Sequence, residues 1–175
     1  MNKSFPRKRE SRHLLSRFRG NDHKRTINPM PKIPSIIQKL HNEMRGWRRH
    51  LHRFPETAFE ETDTAQFIND RLKSFGLETH QGLAKTGVVA TLSAGLGDKK
   101  IALRADMDAL PIGEQNDFPY KSVNDGKMHA CGHDGHSAML LGAARYLSET
   151  KNFYGTVYFI FQPAEEGRAG GKQMI

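Results

Sequence analysis

The chain's one cysteine, Cys131, is separated from His133 by a single glycine, in a stretch, "MHACGHDGH" (Met128–His136), that holds three of its nine histidines. In an extended loop, residues i and i+2 point the same way, so this thiolate and this imidazole can meet one cation. Gly132 lets the backbone fold closely around it, and Asp134 is placed to orient an imidazole from behind. Two other readings of the stretch stand beside this one. One is a buried structural cysteine, with Asp134 or Ser137 capping the next helix. The other is a Cys–His nucleophilic pair. Two acidic clusters weigh between them: Asp106 and Asp108 in "RADMD", and Glu165 and Glu166 in "PAEEG". Nearby carboxylates raise a thiol's pKa and blunt it as a nucleophile, whereas a cation deprotonates it, so metal binding is the better reading. Adjacent glutamates diverge in extended backbone, so one can bind a cation while the other faces a substrate. A free carboxylate beside activated water can take its proton and return it to a leaving amine. Taken singly, the same acids also read as a solvated turn and as a turn with local side-chain caps.

These residues need elements to position them. Ile33, Ile36, Ile37, Leu40, Met44, Trp47 and Leu51 recur at helical spacing, with Pro31 and Pro34 at the approach. "RFPETAFEE" breaks that helix. Phe67, Ile68, Leu72 and Phe75 predict a second one, stopped at Gly76. "GVVATL" (Gly87–Leu92) and "KIALRADMD" (Lys100–Asp108) read as strands, and the short link "SAGLGDK" predicts that they pair antiparallel. Asp117–Gly126 is loop-like. Ser137–Leu147 is a helix apolar on most faces, hence buried. "TVYFIFQ" (Thr156–Gln162) predicts a strand covered on both faces. The order is that of an α/β fold with a mixed sheet. All three acid- or cysteine-bearing stretches fall at strand ends or a helix start, where the loops of an α/β sheet gather around one crevice. "GGKQMI" at the end reads as the start of a further helix, so the chain is expected to be part of a larger fold.

Charge is unevenly spread. Residues 1–29 carry nine Lys/Arg against two Asp/Glu, so the net +8 describes this segment and not the nearly neutral remainder. Such a segment buries too little apolar surface to offset the entropy of ordering, so a disordered basic tail is expected at residues 1–29. A nucleic-acid or anionic-membrane arm and a transit peptide are the functional alternatives. The plain reading, an extension upstream of Met30, is preferred. No secretory apolar region and no membrane-spanning run is visible. A lone cysteine makes no internal disulfide, which suits a reducing cytoplasm.

Five stretches in order, "RRHLHRFPETAFEE", "GVVATL", "RADMDALPI", "MHACGHDGHSAMLLGAARYL" and "GTVYFIFQPAEEGRAGGKQMI", resemble the M20 metallopeptidase family. The branch is that of hippurate hydrolases, N-acyl-amino-acid amidohydrolases and auxin-conjugate hydrolases. The resemblance implies an α/β fold, a mixed β-sheet flanked by helices, with residues 30–175 the N-terminal part of a zinc-peptidase-like catalytic domain. It implies Cys131, His133 and Glu166 as metal ligands. It also implies Glu165 as the general base, and Asp108 as the carboxylate that orients a ligand. Asp106 takes no separate role, His136 packs or supports, and His50 and His52 are structural. Two divalent ions (Zn, Mn, Co or Ni) and a small N-acyl amino acid substrate are implied, with no nucleic-acid or membrane partner. Family members continue well beyond this length, through a lid or dimerisation domain and two further metal-binding histidines. Weak metal binding and little activity are therefore expected of these 175 residues, and a homodimer only with the lid.

Three rivals to the amidohydrolase reading are a catalytically dead gene remnant, a nucleic-acid-binding protein using the basic arm, and a Cys–His hydrolase whose activity resists chelators.

Overall fold

The computed structural model describes residues 33–175; the basic segment 1–29 and Pro31 lie outside the described residues. Two helices lead: α1 (Ser35–Arg53) and α2 (Thr62–Ser74). Three strands follow, β1 (Glu78–Leu83), β2 (Gly87–Ala94) and β3 (Lys100–Asp106), then α3 (His133–Thr150) and β4 (Gly155–Gln162). Two short helical turns close the chain, α4 (Glu165–Arg168) and α5 (Gly170–Gln173).

The helices form where the apolar spacing predicts. α1 buries Leu40, Trp47 and Leu51 along one stripe, and Arg53 in its last turn is a cation that suits a helix C-terminus. α2 buries Ala65, Ile68 and Leu72, and Gly76 follows it at φ +79°. α3 starts earlier than its apolar run suggests, at His133 rather than Ser137. α2 and α3 pack on the sheet, in one core with Val88, Ala90, Leu92, Val157, Phe159 and Phe161, and α1 packs against α3. Phe159 and Phe161 are fully buried, and each contributes about 2–3 kcal/mol by leaving water.

The sheet is mixed, in the order β1-β2-β4-β3. β2 and β4 are antiparallel, while β3 and β4 are parallel. The expected pairing of β2 with β3 is therefore wrong, although their directions are opposed as the short link required. β4 is inserted between them because its continuous β-prone run fits the centre of the sheet. Gly95–Lys99 then crosses the start of β4 in close backbone contact. The Thr156 amide donates to the Lys99 carbonyl oxygen at 2.9 Å, and a Cβ at Gly97 would lie 2.7 Å from the Tyr154 carbonyl carbon. Full cover of β4 on both faces is not found: Thr156, Tyr158 and Ile160 are only half-buried. β1 went unforeseen because "ETHQGL" is mostly exposed and shows no apolar alternation; only its ladder with β2 makes it a strand. No helix among the described residues is long and apolar enough to cross a membrane.

Candidate metal centre

Because β3 and β4 are parallel, their carboxyl ends lie at the same edge, with Asp106 opposite Gln162. The Met107 amide extends the ladder to the Gln162 carbonyl oxygen (3.0 Å). The chain then runs through a long irregular loop to α3, whose start is pinned by Ser137 Oγ donating to the Asp106 carbonyl oxygen (3.1 Å). β4 runs directly into Glu165 and Glu166. Three separate segments thus meet at one edge of the sheet, as loops beyond parallel strands do.

Cys131, His133 and Glu166 each bring a ligand atom to within 4.8 Å of the other two. Cys131 is exposed, and His133 is buried with only 2% of its surface exposed. The approach is not the extended loop that i, i+2 spacing suggests. Gly132 sits in the left-handed region (φ +85°) as the residue before α3, and His133 is the first residue of the helix. A side chain at 132 would be strained there. Nor do the two glutamates diverge. Ala164 takes φ +52°, Glu166 has a non-helical ψ of 90°, and Glu165 Oε2 and Glu166 Oε1 each stand 3.9 Å from His133 Nε2.

Asp108 sets which face of the His133 ring is available. His133 Nδ1–H donates to the Asp108 carbonyl oxygen (2.9 Å) and faces its Oδ1 (3.2 Å), so the lone pair is on Nε2, toward the glutamates. Asp108 Oδ2 accepts from the Glu166 amide (2.9 Å). One buried carboxylate therefore holds both the imidazole and the acid-bearing turn. Burial pushes the Asp108 carboxyl up, but hydrogen bonds from His133 and from the Glu166 and Glu165 amides outweigh it, and its pKa lies below the usual range. The same bond from Asp108 raises His133. The Cys131 thiol is also raised, by the Glu166 carboxylate first, then by burial and the charges of Glu166, Glu165 and Asp108. Without a cation it is a poor nucleophile.

Glu61 was not anticipated. It is fully buried before α2, accepts from the Ala164 amide (2.8 Å) and Thr86 Oγ1 (2.7 Å), and so anchors the strained residue that launches Glu165. Burial raises its pKa. An acid beside a helix start ordinarily serves that helix, and nothing local indicates that it turns to β4. Asp134 faces an imidazole, that of His52, accepting from Arg48 Nε (3.2 Å) on the oxygen that faces His52 Nδ1 (2.8 Å). His129, likewise unforeseen, is buried with no hydrogen-bond partner for either ring nitrogen, and burial lowers its pKa to about 4. A second grouping, Asp106, His133 and His136, lies within the same 4.8 Å span. It draws on the same His133, and Arg104 already pairs with the Asp106 carboxylate.

The donor set fits a divalent ion. Ligand atoms of a tetrahedral ion at bonds of about 2.0–2.3 Å lie about 3.5 Å apart, close to the 3.9 Å between His133 Nε2 and Glu166 Oε1. A thiol, an imidazole and a carboxylate are the groups borderline-soft ions take.

Residues 102–175 match the family model for peptidase family M20/M25/M40. The chain is 50% identical over 146 residues to a hippurate hydrolase of Campylobacter jejuni, an overlap of 83% of this chain and 38% of that protein. It is 46% identical over 143 residues to an N-acyl-L-amino acid amidohydrolase of Geobacillus stearothermophilus, covering 81% of this chain and 39% of the relative. The crystal structure of the Bacillus subtilis YXEP protein, described as a dinuclear metal-binding peptidase from the M20 family, superposes with a TM-score of 0.74. The identity is 43%, over 78% of this chain and 39% of that one. The chain thus spans about two fifths of the length of these relatives. By sequence and by fold alike, it is similar to members of peptidase family M20/M25/M40.

Proposed function

We propose that this chain binds a divalent cation through the Cys131 thiolate, His133 Nε2 and the Glu166 carboxylate. We further propose that it is the cation-binding part of a hydrolase that cleaves the amide bond of N-acyl amino acids or similar small conjugates. The observation that carries the reading is the approach of those three ligand atoms to within 4.8 Å, from the turn before α3 and the turn after β4. The substrate class is supported by the hippurate and N-acyl-amino-acid hydrolases among the relatives. On this reading residues 30–175 are the N-terminal part of the catalytic domain of a longer enzyme.

A divalent cation held by Cys131, His133 and Glu166 would supply Lewis-acid polarisation of a carbonyl and would make water more acidic. The protein's own groups do the rest. Asp108 keeps His133 in the Nδ1–H form and holds the Glu166 backbone. Glu165, with 42% of its side chain exposed, is free to take a proton from water and deliver it to the leaving amine. Zn, Mn, Co and Ni all accept such donors. Three protein donors are fewer than a two-ion centre uses, so weak binding of one ion is expected.

The test is a Co(II) titration of the full chain, followed by absorption. A thiolate-to-cobalt band is expected, lost in Cys131→Ser, with affinity falling sharply in His133→Ala and Glu166→Gln. Binding unchanged in all three variants overturns the reading.

A further inference from the structure

His52 joins three segments: the end of α1, the start of α3 and the loop between β3 and α3. It lies in the last turn of α1 and is 4% exposed. Its Nδ1 is 2.8 Å from Asp134 Oδ2 in the first turn of α3, and its Nε2 is 3.0 Å from Glu114 Oε1 in the loop between β3 and α3. Asp134 is buried and Glu114 half-buried, with only 1% and 3% of their side chains exposed. Both contacts are hydrogen bonds together only when both ring nitrogens carry protons, since an ionised carboxylate only accepts. Arg48, also on α1, reaches the same Asp134 oxygen at 3.2 Å.

Each acid passes the constraint on. Asp134 Oδ1 accepts from the Gly135 amide (2.8 Å). Glu114 Oε2 accepts from the Ser122 amide and Oε1 from Asn116 Nδ2 (3.0 Å), which gathers the loop that leads into Cys131. That loop is otherwise tied down by the Leu110–Met128 bridge, by the Val123 amide on the Arg53 carbonyl and by Asn124 Nδ2 on the Pro55 carbonyl. Cys131 and His133 lie between the Met128 bridge and Asp134. They are held by the bridge at one end, and at the other by the His52–Asp134 bond together with the Asp108 bonds to His133 and the Ser137 bond to Asp106.

We propose that His52 is a positioning residue for the cation site. It touches neither ligand, but by clamping Asp134 and Glu114 it holds the Cys131 thiol and the His133 imidazole near the geometry that one cation needs. The inference rests on the proposed metal-binding reading for its purpose, and on the clamp itself for its mechanics.

The experiment compares the full chain with His52→Gln, which can donate to only one of the two acids, and with Leu72→Ala, a core change on α2 that destabilises the fold without touching the clamp. Glu114→Gln, which weakens the other arm, serves should His52→Gln fail to fold. Co(II) affinity and the shape of the thiolate and d–d bands are read first. A loss of about tenfold with altered bands in His52→Gln, and neither change in Leu72→Ala, is expected. Amide hydrogen exchange over residues 130–136 is read on the metal-free protein. It should quicken about tenfold in His52→Gln relative to Leu72→Ala, since the clamp closes these amides against local opening. Equal exchange in the two variants overturns the clamp, whatever cobalt does. Quickened exchange with an unchanged cobalt site overturns the positioning role. A wild-type chain without the thiolate band removes the metal reading, and exchange alone then decides the clamp.

Discussion

The Nδ1–H of His133 meets Asp108 twice, at 2.9 Å from its backbone carbonyl oxygen and 3.2 Å from its carboxylate, while the other carboxylate oxygen takes the Glu166 amide at 2.9 Å. One side chain therefore sets the direction of two of the three proposed ligands. Asp108→Asn keeps the shape but puts an NH₂ where an acceptor is needed. Co(II) affinity should fall about 10–100-fold, and urea unfolding should show a loss of about 1–3 kcal/mol. Wild-type affinity in this variant would mean that the ring needs no such support.

Cation binding should release protons. Folded His133 has its pKa raised by Asp108, so in the metal-free chain the protonated pair adds stability in full below the ordinary value of 6.5 and loses it as pH rises through the elevated one. Cys131 is raised from 9.0. A cation needs the neutral ring and the thiolate, so affinity must climb with pH, with up to two protons released per ion in neutral solution. Calorimetry in buffers of different ionisation heat measures this. A dissociation constant flat from about pH 6 to 8 contradicts both shifts.

The exposed Cys131 thiol should react slowly. At neutral pH its alkylation by iodoacetamide should be slower in the folded chain than in urea, because Glu166 disfavours the thiolate. A faster rate in the folded state would revive the Cys–His nucleophile.

Glu61→Ala leaves the Ala164 amide and the Thr86 hydroxyl without their acceptor. Each orphaned donor costs about 1–3 kcal/mol, so the melting temperature should drop by several degrees. Glu165 and Glu166 should lose their approach to His133, seen as a weaker Co(II) band per folded molecule. A stable variant with an unaltered band would make Glu61 dispensable.

Hydrolysis of N-benzoylglycine by the cobalt-loaded chain should be far slower than by a full-length relative, because three protein donors hold one ion where two ions share the work. Comparable turnover would show that the described residues suffice.

Much of this was legible in the residues. The apolar spacing of α1 and α2, the run of β4 and the acids at the strand ends are local signals, and each marks an element or a site segment near where it lies. The pairing of β2 with β4 was not legible, since it depends on which strand best fills the centre of the sheet, and a short link constrains direction more than adjacency. β1 was invisible for the same reason, being polar and defined only by its neighbour.

The site divides along the same line. Residue type and spacing alone marked a thiol, an imidazole and paired acids as candidate cation donors, because donor chemistry belongs to side chains. Tertiary structure decided how they meet: through a left-handed Gly132 and Ala164, through Asp108 holding one ring nitrogen, and through Glu61 and His52 bracing the turns from α2 and α1. Those bonds join residues 25 to 103 positions apart, and a contact at that separation exists only once burial has brought the segments together, so no local pattern announces it.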